Sequence, residues 1–253
     1  MGQAWFLGAR DREIESSTRA IEAARDDTHR AAAFVERGRA YSEKARYSRF
    51  FKLIPAAEYD RLFSLAVKDL DQSIALDPGS AEAYFNLGQT YYDRAVLEEG
   101  KDARKLWFDP AAANFKKAIE RDGRNYVAWD RLGLVHEQND EREQAISDYT
   151  TEMTLHPSGK ARLADAYCNW GFSSQREGNY DAAVADYEKA IQVGATPDDG
   201  CSCDPYNPLV AIYTTVNHQY DKGWDVVHKA QKSGRSIATE IVEGLKKDSG
   251  RNN

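Results

Sequence analysis

An aromatic residue followed four positions later by glycine recurs four times in this chain. Each time it sits inside a quartet spaced i, i+3, i+4, i+7: Phe34, Arg37, Gly38, Tyr41; Tyr84, Leu87, Gly88, Tyr91; Trp129, Leu132, Gly133, His136; and Tyr167, Trp170, Gly171, Ser174. That spacing paints one stripe along an α-helix and has no counterpart in the two-residue period of a strand. A stripe repeated at intervals of tens of residues points to stacked copies of a single supersecondary unit.

Each quartet is followed by a second helical pattern that carries alanine where helices must approach closely: Ala111 and Ala118, Ala145, Ala183 and Ala190, and finally Ala230. The segments then end in breakers, as in Leu76-Asp77-Pro78-Gly79, Arg121-Asp122-Gly123, Leu155-His156-Pro157 and Gly194-Ala195-Thr196-Pro197, which favour turns over helix. Helix, turn, helix, stop is the unit. Only 7 prolines and no alternating Val, Ile or Thr stretch occur, and 42% of residues are apolar. The class is therefore all-α with enough apolar surface for a continuous core.

The order Trp/Tyr, Leu, Gly, Tyr, Ala, aromatic, Ala, Pro resembles the tetratricopeptide repeat over about residues 31–233. The resemblance implies a right-handed α-solenoid of about five antiparallel helix pairs, near residues 31–80, 81–125, 126–159, 160–197 and 204–235. It also implies an N-terminal tail and capping helix within 1–30, with helix from Glu13 to Ala24, and a capping helix and tail over 236–253, with helix from Ile237 to Lys247. Such caps cover the apolar end faces of a solenoid. Successive repeats stand 50, 45, 38 and 40 residues apart, against a family spacing of about 34. The first two hairpins are thus expected to carry lengthened helices or loops, and the connection from Asp198 to Cys203 accounts for the last excess. The fifth repeat is the most divergent, with Asn207 in place of the aromatic and Gly223 in place of Ala. Its string Tyr-Asp-Lys-Gly-Trp with Lys-Ala-Gln-Lys is similar to bacterial members of the family.

In this family the first helix of each pair lines a concave groove, so residues between the stripe positions face a guest. The resemblance points to Arg39 with Val35, Glu36 and Glu43; to Phe85, Asn86, Gln89, Tyr92 and Asp93; to Arg131 and Leu134 with Asp130 and Gln138; and to Asn169, Phe172 and Arg176 with Asp165. Aromatic anchors beside amide and guanidinium donors suit a protein or peptide partner. Some relatives clamp a partner's C-terminal carboxylate with two Lys, two Asn and an Arg. Here only Asn86 and Arg131 match, and Val35, Arg39 and Val127 hold the other places, so an internal peptide or a folded partner is expected. A second docking edge is expected where Arg49, Phe50 and Phe51 of the first hairpin lie beside Trp107 of the second. The alternative reading of those rings is mutual packing that supports longer helices.

No Gly-rich phosphate loop, Gly-x-Ser-x-Gly elbow or His-Glu-x-x-His string is present, so neither catalysis nor a cofactor is expected. Three cysteines cannot form a closed disulfide set. Cys168 stands alone in a helical pattern, and Cys201 and Cys203 lack a second thiol pair or clustered His, so no metal is expected. His136, in the place of a stripe Tyr, reads as a packed structural residue. The net charge of −7 speaks against sequence-independent nucleic-acid binding. No apolar run approaches the length of a membrane span, Ala4–Ala9 is too short for a signal-peptide core, and Phe6 stands where a myristoylation signal after Gly2 wants Ser or Thr. The chain as written reads as cytoplasmic, or periplasmic if an export signal has been removed. The leading expectation is an adaptor or assembly scaffold; the alternatives are a self-assembling homo-oligomer or the non-catalytic arm of a larger complex.

Overall fold

The computed structural model describes residues 2–156, 159–196 and 199–251. The breakers Pro157 and Pro197, and Asp198 of the fourth connection, lie outside them. Among the described residues there are twelve α-helices and no strand. They are α1 (Gly2–Ala23), α2 (Asp27–Phe50), α3 (Ala56–Leu76), α4 (Ala81–Ala95), α5 (Lys101–Arg121), α6 (Tyr126–Gln138), α7 (Arg142–Leu155), α8 (Gly159–Arg176), α9 (Tyr180–Val193), α10 (Tyr206–Thr215), α11 (Tyr220–Lys232) and α12 (Thr239–Ser249). The chain divides into two compact units, Met1–Asp148 and Tyr149–Asn253. None of these helices is long and apolar enough to cross a membrane.

The helices begin and end where local chemistry dictates. Asp77 accepts the Gly79 N–H at 3.0 Å and Asp122 accepts that of Arg124 at 3.1 Å, closing α3 and α5. Directly after these turns, Ser80 and Asn125 accept the N–H groups of Ala83 and Ala128, each at 3.1 Å, and so cap α4 and α6. Asp26 and Asn179 cap α2 and α9 in the same way. A side-chain oxygen at this position satisfies a backbone donor that the helix cannot, a contribution of about 1 kcal/mol per cap.

In unit 1, α2 pairs with α3 and α4 with α5, and α4 packs in turn against α2, α3 and α6. The stripe glycines explain how closely. A Cβ on Gly88 would stand 2.8 Å from the Phe115 ring, and one on Gly38 would stand 2.8 Å from Leu70. Any larger residue would push the two helices of a hairpin apart and open the core. Facing them, Ala66, Ala111 and Ala118 are fully buried. Arg37 occupies a stripe place normally held by Leu; it meets Asp69 through two hydrogen bonds of 2.6 and 2.9 Å, and this pairing raises its already high pKa. His136 is buried and bonded to Asp148 at 2.6 Å, in keeping with a structural role.

The expected lengthening of the first two hairpins takes the form of longer helices: α2, α3 and α5 have 24, 21 and 21 residues against 15 in α4. The N-terminal helix differs from expectation in starting at Gly2 instead of Glu13. Its first turns have a partner, because Phe6 stacks on Tyr47 with centroids 4.1 Å apart and Arg10 pairs with Glu43.

In unit 2, α8 pairs with α9 and α10 with α11, α10 packs on α9, and α12 lies on both α10 and α11. Gly171 repeats the device of unit 1, since a Cβ there would stand 2.7 Å from the Tyr187 ring. The core gathers Tyr187, Leu209, Val210, Ile212, Tyr213, Trp224 and Val227, and Leu245 of α12 closes it with no exposed surface. The C-terminal cap runs two residues later than expected, with Leu245 against Gly223 and Ile237 packed on the same core just ahead of the helix.

Candidate functional site

Because α4 contacts both α2 and α6, residues on the outer faces of these three helices share one surface of unit 1. Arg39 and Arg46 of α2, Asn86, Gln89 and Asp93 of α4, and Arg131 of α6 line one pocket. It adjoins a second, of about 520 Å³, walled by Tyr47, Phe50, Phe51, Tyr92, Val96 and Leu97 and sharing Arg46, Gln89, Asp93 and Arg131. The polar floor is a continuous chain across the three helices. Arg131 donates to Gln89 at 2.8 Å, Gln89 donates to Asp93 at 2.8 Å, and Arg46 pairs with Asp93 at 3.1 Å. Arg131 also bonds Asp130 at 2.8 Å, and Arg39 pairs with Glu36 and Glu43.

Asp93 is the electrostatic centre of this floor. Burial pushes its carboxyl up to about 6, against the opposing pull of Arg46 and the Gln89 hydrogen bond. Beside it, Phe50 is 71% and Phe51 43% exposed, in edge contact with centroids 5.0 Å apart. Apolar rings presented to water next to a fixed row of donors and acceptors can take an apolar side chain and hydrogen-bond the backbone beside it.

The sequence expectations divide here. Arg39, Asn86, Gln89, Tyr92 and Arg131 come together, joined by Phe50 and Phe51, which had been assigned to a separate edge. Trp107 does not join them. It packs against Phe63 at 5.4 Å, Tyr91 at 6.2 Å and the Arg94 guanidinium at 5.3 Å, as support for the lengthened helices. Phe85 is half-buried against Phe115 at 5.8 Å and belongs to the core. Val35 is buried among Leu70, Ala83 and Leu87, and Asp93 and Asp130 are also buried, so none of these three stands open to a guest. Arg49 and Leu134 are half-buried on α2 and α6. Asn86 donates to the Glu82 carbonyl of its own helix at 2.9 Å. Arg46, Tyr47, Val96 and Leu97 line the pocket and were missing from the expected set; the first two fall on the extension of α2, where the family pattern offers no register.

In unit 2, Asn169, Phe172 and Arg176 lie exposed on α8, Phe172 with its ring edge-on to Tyr187 at 5.4 Å. Asp165 of the same helix does not face a guest. One of its oxygens accepts the N–H groups of Ser202 and Cys203 at 3.1 and 3.0 Å and so pins the loop before α10. That loop corrects the expectation for the cysteines: Cys168 is bonded to Cys203 in a disulfide, and Cys201 is left as a buried free thiol. The sequence held no signal for the pair: the two cysteines are 35 residues apart whereas the fourth and fifth repeats stand 40 apart, so a helix residue meets a loop residue that has no equivalent in the repeat.

Comparison with known proteins yields matches to two family models, one in each unit: "TPR repeat" over residues 63–94 and "Tetratricopeptide repeat" over residues 164–193. A cell division cycle protein 27 homolog of Caenorhabditis elegans is 29% identical over 103 residues, which is 41% of this chain and 12% of that protein. A DnaJ homolog subfamily C member 7 homolog of Dictyostelium discoideum is 27% identical over 150 residues, 56% of this chain and 26% of that one. The chain thus spans 12% and 26% of the length of these curated relatives. Among solved structures, human IFIT1, described as a dimer with m7Gppp-AAAA, superposes with a TM-score of 0.51 over 85% of this chain and 47% of that one at 14% identity, a likeness of fold.

Proposed function

The chain belongs to the tetratricopeptide-repeat family, and on that footing we propose that it is a protein-interaction module whose guest is an extended segment of a partner protein, held on α2, α4 and α6 of unit 1. The observation that carries this reading is the exposure of Phe50 and Phe51 beside the Arg131–Gln89–Asp93–Arg46 chain. Two large rings left in water are costly unless something covers them, and a row of oriented polar groups next to them sets the direction of what does. An apolar guest side chain fits between Tyr47, Phe51 and Tyr92. The guest's backbone then finds donors in Arg46 and Arg131 and an acceptor in Gln89, while the buried Asp93 holds Arg46 and Gln89 in place. We assign the surface no catalytic step; its service is to hold a partner, as an adaptor or an assembly scaffold.

The test is selection from a display library of random peptides on the intact chain and on the double variant Phe50→Ser, Arg131→Ala. Phe50 stands at the surface, whereas Arg131 is half-buried and bonded to Gln89 and Asp130, so melting is followed alongside and binding is compared where both proteins are fully folded. The wild-type chain is expected to enrich peptides with a large apolar anchor, and the variant to bind them at least about tenfold more weakly, the effect of losing one hot-spot contact. Enriched peptides that bind the variant equally well would remove the groove from consideration.

A further inference from the structure

We propose that unit 2 contains a site for one thiophilic divalent cation, of which Zn²⁺ is the simplest, made by Cys168, Cys201, Cys203 and Asp165 once the Cys168–Cys203 bond is reduced. A metal had no support in the sequence because Cys201 and Cys203 lacked further donors. The fold supplies two. Asp165 and Cys168 stand three residues apart on α8, on one face, and both meet the Cys201–Cys203 loop.

The geometry is close to what such an ion needs. The donor atoms of Asp165, Cys201 and Cys203 all lie within 4.8 Å of one another, and the disulfide carries Cys168 Sγ to the same place. With metal–sulfur bonds near 2.3 Å and metal–oxygen bonds near 2.0 Å, a tetrahedral site has S···S edges of about 3.8 Å and S···O edges of about 3.5 Å. The Cys201 Sγ to Asp165 Oδ1 distance is 3.4 Å. Cys168, Cys201 and Cys203 are all buried, which keeps water from competing for the ion.

The surroundings also suit a ligand set. The Ser202 and Cys203 N–H groups hold the Asp165 carboxylate in orientation, the kind of outer support that metal-binding carboxylates have. Arg235 donates to the Cys203 carbonyl at 2.8 Å. Its charge lies next to three thiolates and a carboxylate, whose sum exceeds that of a divalent ion. Cys201 now donates its thiol proton to Asp165, and the cation would take that proton's place.

The chemistry balances in two steps. A dithiol supplies two electrons and two protons; the Cys168–Cys203 bond breaks, both sulfurs become thiols, and the dithiol closes to its own disulfide. Binding of the cation then forms three metal–sulfur bonds and one metal–oxygen bond and releases three thiol protons. An external disulfide reverses the first step: it accepts two electrons from the Cys168 and Cys203 thiolates, takes up two protons and leaves as a dithiol, and the re-formed bond releases the ion.

The full chain, reduced anaerobically with a water-soluble phosphine, is titrated with Zn²⁺ against a chromophoric chelator, and with Co²⁺ to read thiolate charge-transfer absorption. The phosphine takes its oxygen from water and competes less for the metal than a dithiol would. One equivalent should bind to the reduced chain and none to the disulfide form. Cys201→Ser leaves the disulfide pair intact and is expected to weaken binding at least about tenfold. Failure of the reduced chain to bind one equivalent, equal binding by the disulfide form, or equal affinity in Cys201→Ser would each overturn the site.

Discussion

Unit 1 and unit 2 are built from the same helical hairpin and hold it together differently. The hairpins of unit 1 use helices of up to 24 residues, knitted by ring contacts such as Phe63–Trp107 and by ion pairs that cross between helices, Arg37–Asp69 and Arg46–Asp93 among them. Those of unit 2 are shorter, with 10 and 13 residues in α10 and α11, and they add a dense apolar core, a capping helix and a covalent bond. A short hairpin buries little surface, so a cross-link that restricts the unfolded chain contributes proportionately more. The long hairpins have surface to spare, and the excess forms the pocket walls at Tyr47, Phe50 and Phe51.

The largest test of this contrast is reduction of Cys168–Cys203 in chelated, metal-free buffer. Restoring freedom to a 35-residue segment should destabilise unit 2 by about 4 kcal/mol on the chain-entropy account. Hydrogen exchange should speed in α8, α10 and α11 and stay unchanged in α2–α5. Equal loss of protection in both units would mean that the bond is no local staple.

The next test probes the buried charge of unit 1. With a folded-state pKa of about 6 against an ordinary 3.8, protonated Asp93 favours the folded state. Its stabilising contribution is fully present below the ordinary value and is lost as pH rises through about 6. Wild type should therefore lose on the order of 2 kcal/mol relative to Asp93→Asn between about pH 4.5 and pH 7. Denaturant titrations of both proteins across that range measure it. A pH-independent difference would place the carboxyl in water.

The smallest effect concerns the hairpin turns. His218, between α10 and α11, adopts a left-handed φ of 52°, whereas the α8–α9 turn uses Gly178 at 78°. Substituting His218→Gly relieves the Cβ clash and should stabilise the chain by about 0.5–1 kcal/mol, the left-handed penalty less the added freedom of the unfolded glycine. A loss of stability would show that the His218 side chain holds the turn.

Much of the fold was legible because the hairpin is a local object. The spacing of Tyr84, Leu87, Gly88 and Tyr91 marks one helical stripe, and Gly88 and Gly171 sit where the partner helix offers Phe115 and Tyr187. The site was legible in part. Asn86, Gln89, Tyr92 and Arg131 fall in the repeat's own register, so the pattern located them. Arg46, Phe50 and Trp107 fall on helix extensions, where the pattern is silent. There Trp107 packed on Phe63, Tyr91 and Arg94, while Phe50 stayed exposed beside Phe51.

From residue order alone follow the helical class, the hairpin unit and its recurrence, since a period of 3.6 and a need for small residues at close contacts act over a few turns of chain. The joining of Cys168 to Cys203, the capture of their loop by Asp165, and the gathering of Phe50, Gln89 and Arg131 around one pocket were settled in three dimensions. Each depends on which residues of different helices come within a few ångströms of each other, and that distance is a property of packing.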